Sequence, residues 1–220
     1  MTGATKGALS GTGATRTLAI SNITVANGET VSVTVTNPAG YSITGSPRTA
    51  VVYKMTIGMD YLGGKIAYIL QPGDPGYDEN VPHGLIAATA DQKEGTQQPS
   101  WALVAYQSTS VPSGTGTAIG TGSANTDNII AQNGTINPYA ALVARAYNGG
   151  GYSDWYLPSR DELYKLYINR VAIGNFVDNG NYWSSSEYDA DEAWRLGFSD
   201  GTQFYTFKLV SGFVRPVRSF

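Results

Sequence analysis

The chain reads as an α+β fold: two helices with antiparallel strands and long loops, preceded by a short all-β N-terminal segment. Three observations point there. Two stretches carry both start and stop signals for a helix, several short apolar runs are bounded by Gly, Pro and Asn, and the composition favours strands and polar loops. Charged residues are only 14% of the chain, against roughly 25% in an average soluble domain. In their place stand 27 Gly, 15 Tyr and many Thr, Ser and Asn. Those residue types also suit recognition loops, because they supply contact area and adaptable hydrogen bonds at modest entropic cost.

Residues 1–15 are mostly Gly, Thr, Ala and Ser, with little to bury, and are expected to form a flexible arm or linker. Residues 16–56 then alternate. Leu18, Ile20, Ile23 and Val25, followed by Val31, Val33 and Val35, stand apart by polar residues, with Asn27-Gly28 between the two runs. Period-two spacing around such a turn is a hairpin signal. A further strand is expected over Ala50 to Met55. Two arrangements fit this segment: a small β module, or strands that pack on the main body.

From residue 57 to 220 the character is that of one larger domain. Gly63 to Leu70 reads as a buried strand ended by Gln71-Pro72-Gly73, and Gly84 to Ala88 as another. Between them lie Asp74, Asp78 and Glu79, whose carboxylates lack the order of a calcium-binding loop and read better as a solvated turn. His83 is the only histidine and stands outside any catalytic motif, so a structural role is expected. Residues 108–128 read as a Ser/Thr/Gly loop. Gly114-Thr115-Gly116 and Gly120-Thr121-Gly122 lack the Gly-Lys-Ser/Thr ending of a phosphate-binding loop.

The first helix is expected to begin at Asn137 as N-cap with Pro138 in its first turn, to bury Tyr139, Leu142, Val143 and Ala146, and to end at Gly149. The second begins at Ser159, with Glu162 three residues on as a capping box. Leu163, Leu166, Tyr167 and Val171 form its buried stripe and Gly174 closes it. Both stripes read as core, and no cofactor or metal site is expected.

Charge and composition exclude several functions. The net charge is -3 and no Lys/Arg-rich block occurs, so the electrostatic footprint of nucleic-acid binding is missing. The absence of Cys removes disulfides, thiolate catalysis and cysteine metal ligands. No apolar run follows the charge at Lys6, as a secretory signal requires, and no stretch approaches the about 20 apolar residues of a membrane span. The expected location is extracellular or on a virion surface, with either a trimmed N-terminus or exit by another route, such as inside an assembled virus particle.

Three segments in order carry a family resemblance. They are Gly63-Gly64-Lys65-Ile66-Ala67-Tyr68 with His83 to Ala88; Gly149 to Ser159, including Asp154-Trp155-Tyr156-Leu157-Pro158; and Tyr182-Trp183-Ser184-Ser185-Ser186-Glu187 with Ala193-Trp194, Phe198, Gly201 and the Val214-Arg215-Pro216-Val217-Arg218 ending. Together they resemble the C-type-lectin-like domain at the C-terminus of bacterial collagen-like adhesins, and still more the variable proteins of diversity-generating retroelements. The resemblance implies a C-type-lectin-like fold over residues 57–220, with a variable region of about 182–220. It also implies a 3′ gene end rewritten at adenines.

Under that scheme Trp155, Pro158, Trp183, Trp194 and Phe198 belong to the scaffold. The ligand-reading candidates are Tyr188, Asp189, Asp191, Arg195, Gly197, Ser199, Asp200, Thr202, Phe204, Tyr205, Thr206, Phe207, Leu209, Val210 and Phe213. Each can be reached from an AAC or AAT codon by changing adenines alone. Phe204 to Phe207 places three aromatics in four positions, so a strand there exposes at least one unless it is covered. Without the resemblance, the same segment reads as an ordinary hairpin with an apolar inner face.

Enzymes of this broad fold that generate formylglycine use cysteine, which this chain lacks. The Glu-Pro-Asn, Gln-Pro-Asp and Trp-Asn-Asp motifs of calcium-dependent sugar binding are absent too. Asp189, Asp191 and Glu192 fit a glycosidase pair by residue type only. The expectation is a non-enzymatic protein that binds a protein or glycan on a target cell surface, attached to a virion or cell surface through its N-terminal segment. The alternative is an adhesin domain with a fixed surface.

Overall fold

In a computed structural model, residues 55–93 and 95–220 are described in full, together with four backbone strands nearer the N-terminus. The chain divides into two compact units, Met1–Met55 and Thr56–Phe220. In the first unit β1 (Thr5–Ser10) pairs antiparallel with β2 (Thr17–Ser21), and β3 (Thr30–Ser32) with β4 (Thr49–Val51). The strand Thr5–Ser10 falls within the stretch expected to be an arm. Among the described residues the Leu18 run pairs with Thr5–Ser10 and the Val31 run with Thr49–Val51, since alternation marks a strand without choosing its partner. The Asn27-Gly28 turn and Ile23, Val25, Val33 and Val35 lie outside the described residues.

The second unit is α+β. A four-stranded antiparallel sheet runs in the order β11-β7-β6-β5, made of β5 (Asp60–Tyr61), β6 (Gly64–Ile69), β7 (Gly84–Ala87) and β11 (Val217–Ser219). The last strand thus pairs with an early one, and Gly84 and Phe220 exchange backbone hydrogen bonds. His83 Nδ1 lies 3.2 Å from the Phe220 carbonyl at this junction. Asp74 accepts hydrogen bonds from the Tyr68 hydroxyl and the Gln71 amide in the turn after β6. The second sheet has the order β10-β9-β8, from β8 (Asn181–Glu187), β9 (Glu192–Gly197) and β10 (Gln203–Phe207).

Four α-helices pack around these sheets: α1 (Gly122–Asn133), α2 (Ala140–Arg145), α3 (Arg160–Ile168) and α4 (Arg170–Ile173). The capping box of α3 is present in full, with Ser159 and Glu162 satisfying each other's backbone amides. Leu163 and Leu166 are buried as the stripe requires, whereas Val171 is 89% exposed, because α4 breaks from α3 at Asn169. The other expected helix is shorter than its signals. It starts at Ala140, after an extended Tyr139, and ends at Arg145, so the Asn137-Pro138 signal lies in the loop ahead of it.

The α1 helix occupies part of the stretch read as loop. Its apolar content is small, and buried polar groups anchor it instead. Thr126 Oγ1 donates to the Gly122 carbonyl and accepts from the Leu157 amide. The Asn125 side chain bonds both backbone groups of Gly116. A polar helix stabilised this way carries almost no amphipathic signal.

Two main clusters form the core. One gathers Trp101, Ile129, Tyr139, Leu157, Trp183 and Val214. The other gathers Leu163, Leu166, Tyr182, Leu196, Phe198 and Val217. The β8-β9-β10 sheet lies between them, with Trp183 and Ala193 turned to the first and Tyr182 and Leu196 to the second.

Candidate functional site

The site is built on that sheet. In β9, Glu192, Trp194 and Leu196 share one face by the two-residue period. Phe207, Tyr205 and Gln203 of β10 stand opposite them in register. Leu196 is covered by the Leu163 and Leu166 face of α3, but over Trp194 the helix contributes only the Arg160 side chain. There the sheet meets solvent: Tyr205 is 44% exposed, Phe207 56% and Tyr188 47%.

Tyr188, Trp194 and Tyr205 form one aromatic cluster. The Tyr188 and Tyr205 rings stack 3.7 Å apart with an interplanar angle of 1°. Each meets Trp194 edge-on, at 5.4 and 5.5 Å. The Arg160 guanidinium, from the first turn of α3, sits 5.0 Å from the Trp194 ring. The adjacent Tyr205 hydroxyl pushes the Tyr188 pKa up, and the Asp189 and Glu192 charges add to this.

The β8-β9 turn that carries Tyr188 is held from both sides. Asp189 Oδ1 accepts from the amides of Asp191 and Glu192 at 2.9 Å each, and the Tyr188 amide donates to the Glu192 carbonyl. Below it, the fully buried Lys208 donates to Glu187 at 2.6 Å, to the Ala190 carbonyl at 2.6 Å and to the Thr109 carbonyl at 3.1 Å. A buried ammonium with three acceptors is satisfied and fixes the turn's geometry.

The ligand-reading candidates do not all reach this face. Asp189, Asp191, Ser199, Asp200, Thr202 and Leu209 are exposed with Tyr188, Tyr205 and Phe207. At the far turn, Asp200 accepts from the Thr202 amide, which lowers its carboxyl pKa. Phe204, Thr206, Val210 and Phe213 are half-buried; Val210 packs on the Trp183 cluster and Phe213 on the Tyr182 cluster. Arg195 and Gly197 are buried. Arg195 is 5% exposed, donates to the carbonyls of Asn181 and Ser211, and lies 4.5 Å over the Trp183 ring. Its side chain points away from the aromatic face, because it is one residue out of phase with Trp194.

Of the scaffold candidates, Trp155, Pro158, Trp183 and Phe198 are buried, whereas Trp194 is only partly so and belongs to the exposed cluster. The three serines after Trp183 are buried connectors. Ser184 Oγ bonds the Trp194 carbonyl, Ser186 Oγ bonds the Gly116 carbonyl, and the Ser185 amide bonds the Pro158 carbonyl. The basic ending is likewise internal. Arg215 pairs with Asp91 at 2.7 Å, and Arg218 forms a two-pronged pair with Asp154 at 2.7 and 2.8 Å. Asp91, which also accepts from the Tyr182 hydroxyl, carries no motif signal in the sequence.

Among the described residues no group of three or more His, Cys, Asp and Glu is placed to hold a metal ion. No described helix is long and apolar enough to cross a membrane.

An α+β domain that turns an aromatic sheet face to solvent, over a turn fixed by a buried ion pair, has the build of a recognition domain. The family model of the Lcl C-terminal domain matches residues 92–218, and the chain belongs to that family. It is an adhesin-like, ligand-binding type of domain. No curated protein matches the sequence. A solved fimbrial protein from Bacteroides ovatus ATCC 8483 is similar at 15% identity with a TM-score of 0.44, over 70% of this chain and 43% of that one. The chain therefore spans less than half the length of that protein.

Proposed function

We propose that the exposed part of the β8-β9-β10 sheet, with the turn at 188–191, is a ligand-recognition surface that a retroelement diversifies on a fixed C-type-lectin-like scaffold. The observation that carries this reading is the aromatic cluster of Tyr188, Trp194 and Tyr205, with Phe207 beside it, on a sheet face that α3 leaves uncovered. Large exposed aromatics rimmed by polar groups are typical of binding surfaces. Most of these positions are reachable by adenine changes from an Asn codon, while the residues beneath them are held by the core and by Lys208. Two antiparallel sheets, one of which carries the domain's last strand paired with the early strand β7, with helices and long loops between, support the lectin-like assignment.

In this reading the protein is not an enzyme. It acts at a cell or virion surface, and residues 1–56 attach it to its carrier while residues 57–220 read a protein or glycan on a target. Sequencing the native locus across a population tests it. Substitutions confined to adenine-derived codons, densest at Tyr188, Tyr205 and Phe207, are expected beside a reverse transcriptase gene and a near-copy of the 3′ end. An invariant 3′ end would leave an adhesin with a fixed surface.

A further inference from the structure

The charge around the aromatic face narrows the ligand. On the open side stand the carboxylates of Asp189, Asp191 and Glu192, and none of them forms an ion pair among the described residues. The cations nearby are already engaged. Arg160 pairs with Asp161 at 2.9 Å, and Lys208 is buried beneath the turn on Glu187. The face is thus an aromatic platform with a negative rim and no free positive group of its own among the described residues.

Both halves of that description favour the same partner. Aromatic faces attract guanidinium and ammonium groups through the ring quadrupole, and Arg160 over Trp194 is an instance within this chain. Unpaired carboxylates add attraction for cations and repel anions. An anionic glycan would meet the rim with like charge. A neutral glycan could stack on the rings but would leave the carboxylates unused.

We infer that this face binds a protein segment presenting Lys or Arg side chains, with a cation seated on the Tyr188-Trp194-Tyr205 cluster and held by the carboxylates beside it. This rests on the reading of the face as the recognition surface, and goes further by fixing the chemistry of its partner.

The chain carries its own reporter. Trp101, Trp155 and Trp183 are fully buried, and Trp194 alone of the four tryptophans reaches solvent, so quenching or shift of its emission reports on this face. The full chain is titrated with three soluble probes: a peptide of Arg, Ser and Gly, an equal-length peptide of Glu, Ser and Gly, and a neutral hexasaccharide. The Arg peptide is expected to change the emission with an affinity that falls as salt rises, and Trp194→Phe is expected to silence the signal. In a D189N/D191N/E192Q variant, which keeps the Asp189 acceptor position, affinity should fall roughly tenfold.

Unchanged affinity in that variant would overturn the cationic partner. So would equal binding of the Glu peptide or the hexasaccharide. If either of those bound and Tyr205→Ala abolished the signal, the face would remain a recognition surface for another ligand class. If no probe bound, the cationic partner would fall, and locus sequencing would decide the recognition reading on its own.

Discussion

Tyr188 and Tyr205 lie ring on ring at 3.7 Å, although one belongs to the β8-β9 turn and the other to the outer strand of the sheet. Each makes a T-shaped contact with Trp194, so three residues from separate segments make one surface. That surface sits on a rigid base. Trp183, on β8 beside the Trp194 strand and on the opposite face, is fully buried with Ala193 and Val214.

The two layers should separate by mutation. Tyr205→Ala is expected to change stability by no more than about 1 kcal/mol, since exposed aromatic contacts are individually small, while weakening ligand capture. Trp183→Ala should cost roughly 3–5 kcal/mol through the cavity it opens. Urea denaturation followed by far-UV circular dichroism measures both. Equal losses would place Tyr205 in the core.

Lys208 offers a sharper case. Lys208→Met removes the partner of Glu187 and two carbonyl contacts beneath the 188–191 turn. Breaking a buried pair on one side is expected to cost about 3–5 kcal/mol. The Tyr188 ring should lose its fixed position as well, visible as collapse of its NMR contacts to Tyr205. A variant as stable as the parent would show that the turn is held by Asp189 alone.

Glycines near the sheet should differ in tolerance. A Cβ at Gly212 would come within 2.6 Å of the Arg195 guanidinium and 2.8 Å of the Trp183 ring, whereas one at Gly197 meets nothing closer than 3.4 Å. Gly212→Ala is therefore expected to cost about 1–3 kcal/mol by overpacking. Gly197→Ala should be near neutral. Thermal unfolding of the two variants side by side settles the comparison, and a reversed order would contradict the packing described.

The Asp154–Arg218 pair sets an acid limb of stability. Hydrogen bonding and charge from Arg218 hold the Asp154 carboxyl below its ordinary range. Its contribution is present above the unfolded aspartate value and is lost as pH falls through the lowered folded value. With the Asp154 side chain 57% exposed, screening limits the effect to about 1 kcal/mol or less. Asp154→Asn should flatten stability between pH 5 and pH 2 (approximately) in urea titrations. An unchanged slope would mean that the pair adds nothing in solution.

Much of the site was legible in sequence, for local reasons. The α3 capping box follows from Ser159 and Glu162 alone. The strands at Ile66 and Ile86 follow from short apolar runs between glycines. The three aromatics of residues 204–207 imply that at least one ring faces outward unless it is covered, and Tyr205 and Phe207 do.

Other features depend on groups far apart in the chain. α1 is held by Asn125 and Thr126 bonding to Gly116 and Leu157, and no periodicity within the helix announces it. Arg195 and Tyr205 looked alike as candidates, yet strand phase sends the first into the core and the second to solvent. Trp194 reads as scaffold by its size; α3 packs its Leu163 and Leu166 over Leu196 but lays only the Arg160 side chain over Trp194, which stays partly exposed. By itself the sequence determined the capped helix, the strand periods and the charge, because these depend on near neighbours. Only the tertiary structure decided which face of the last sheet stays uncovered, because that depends on where a helix from another part of the chain ends.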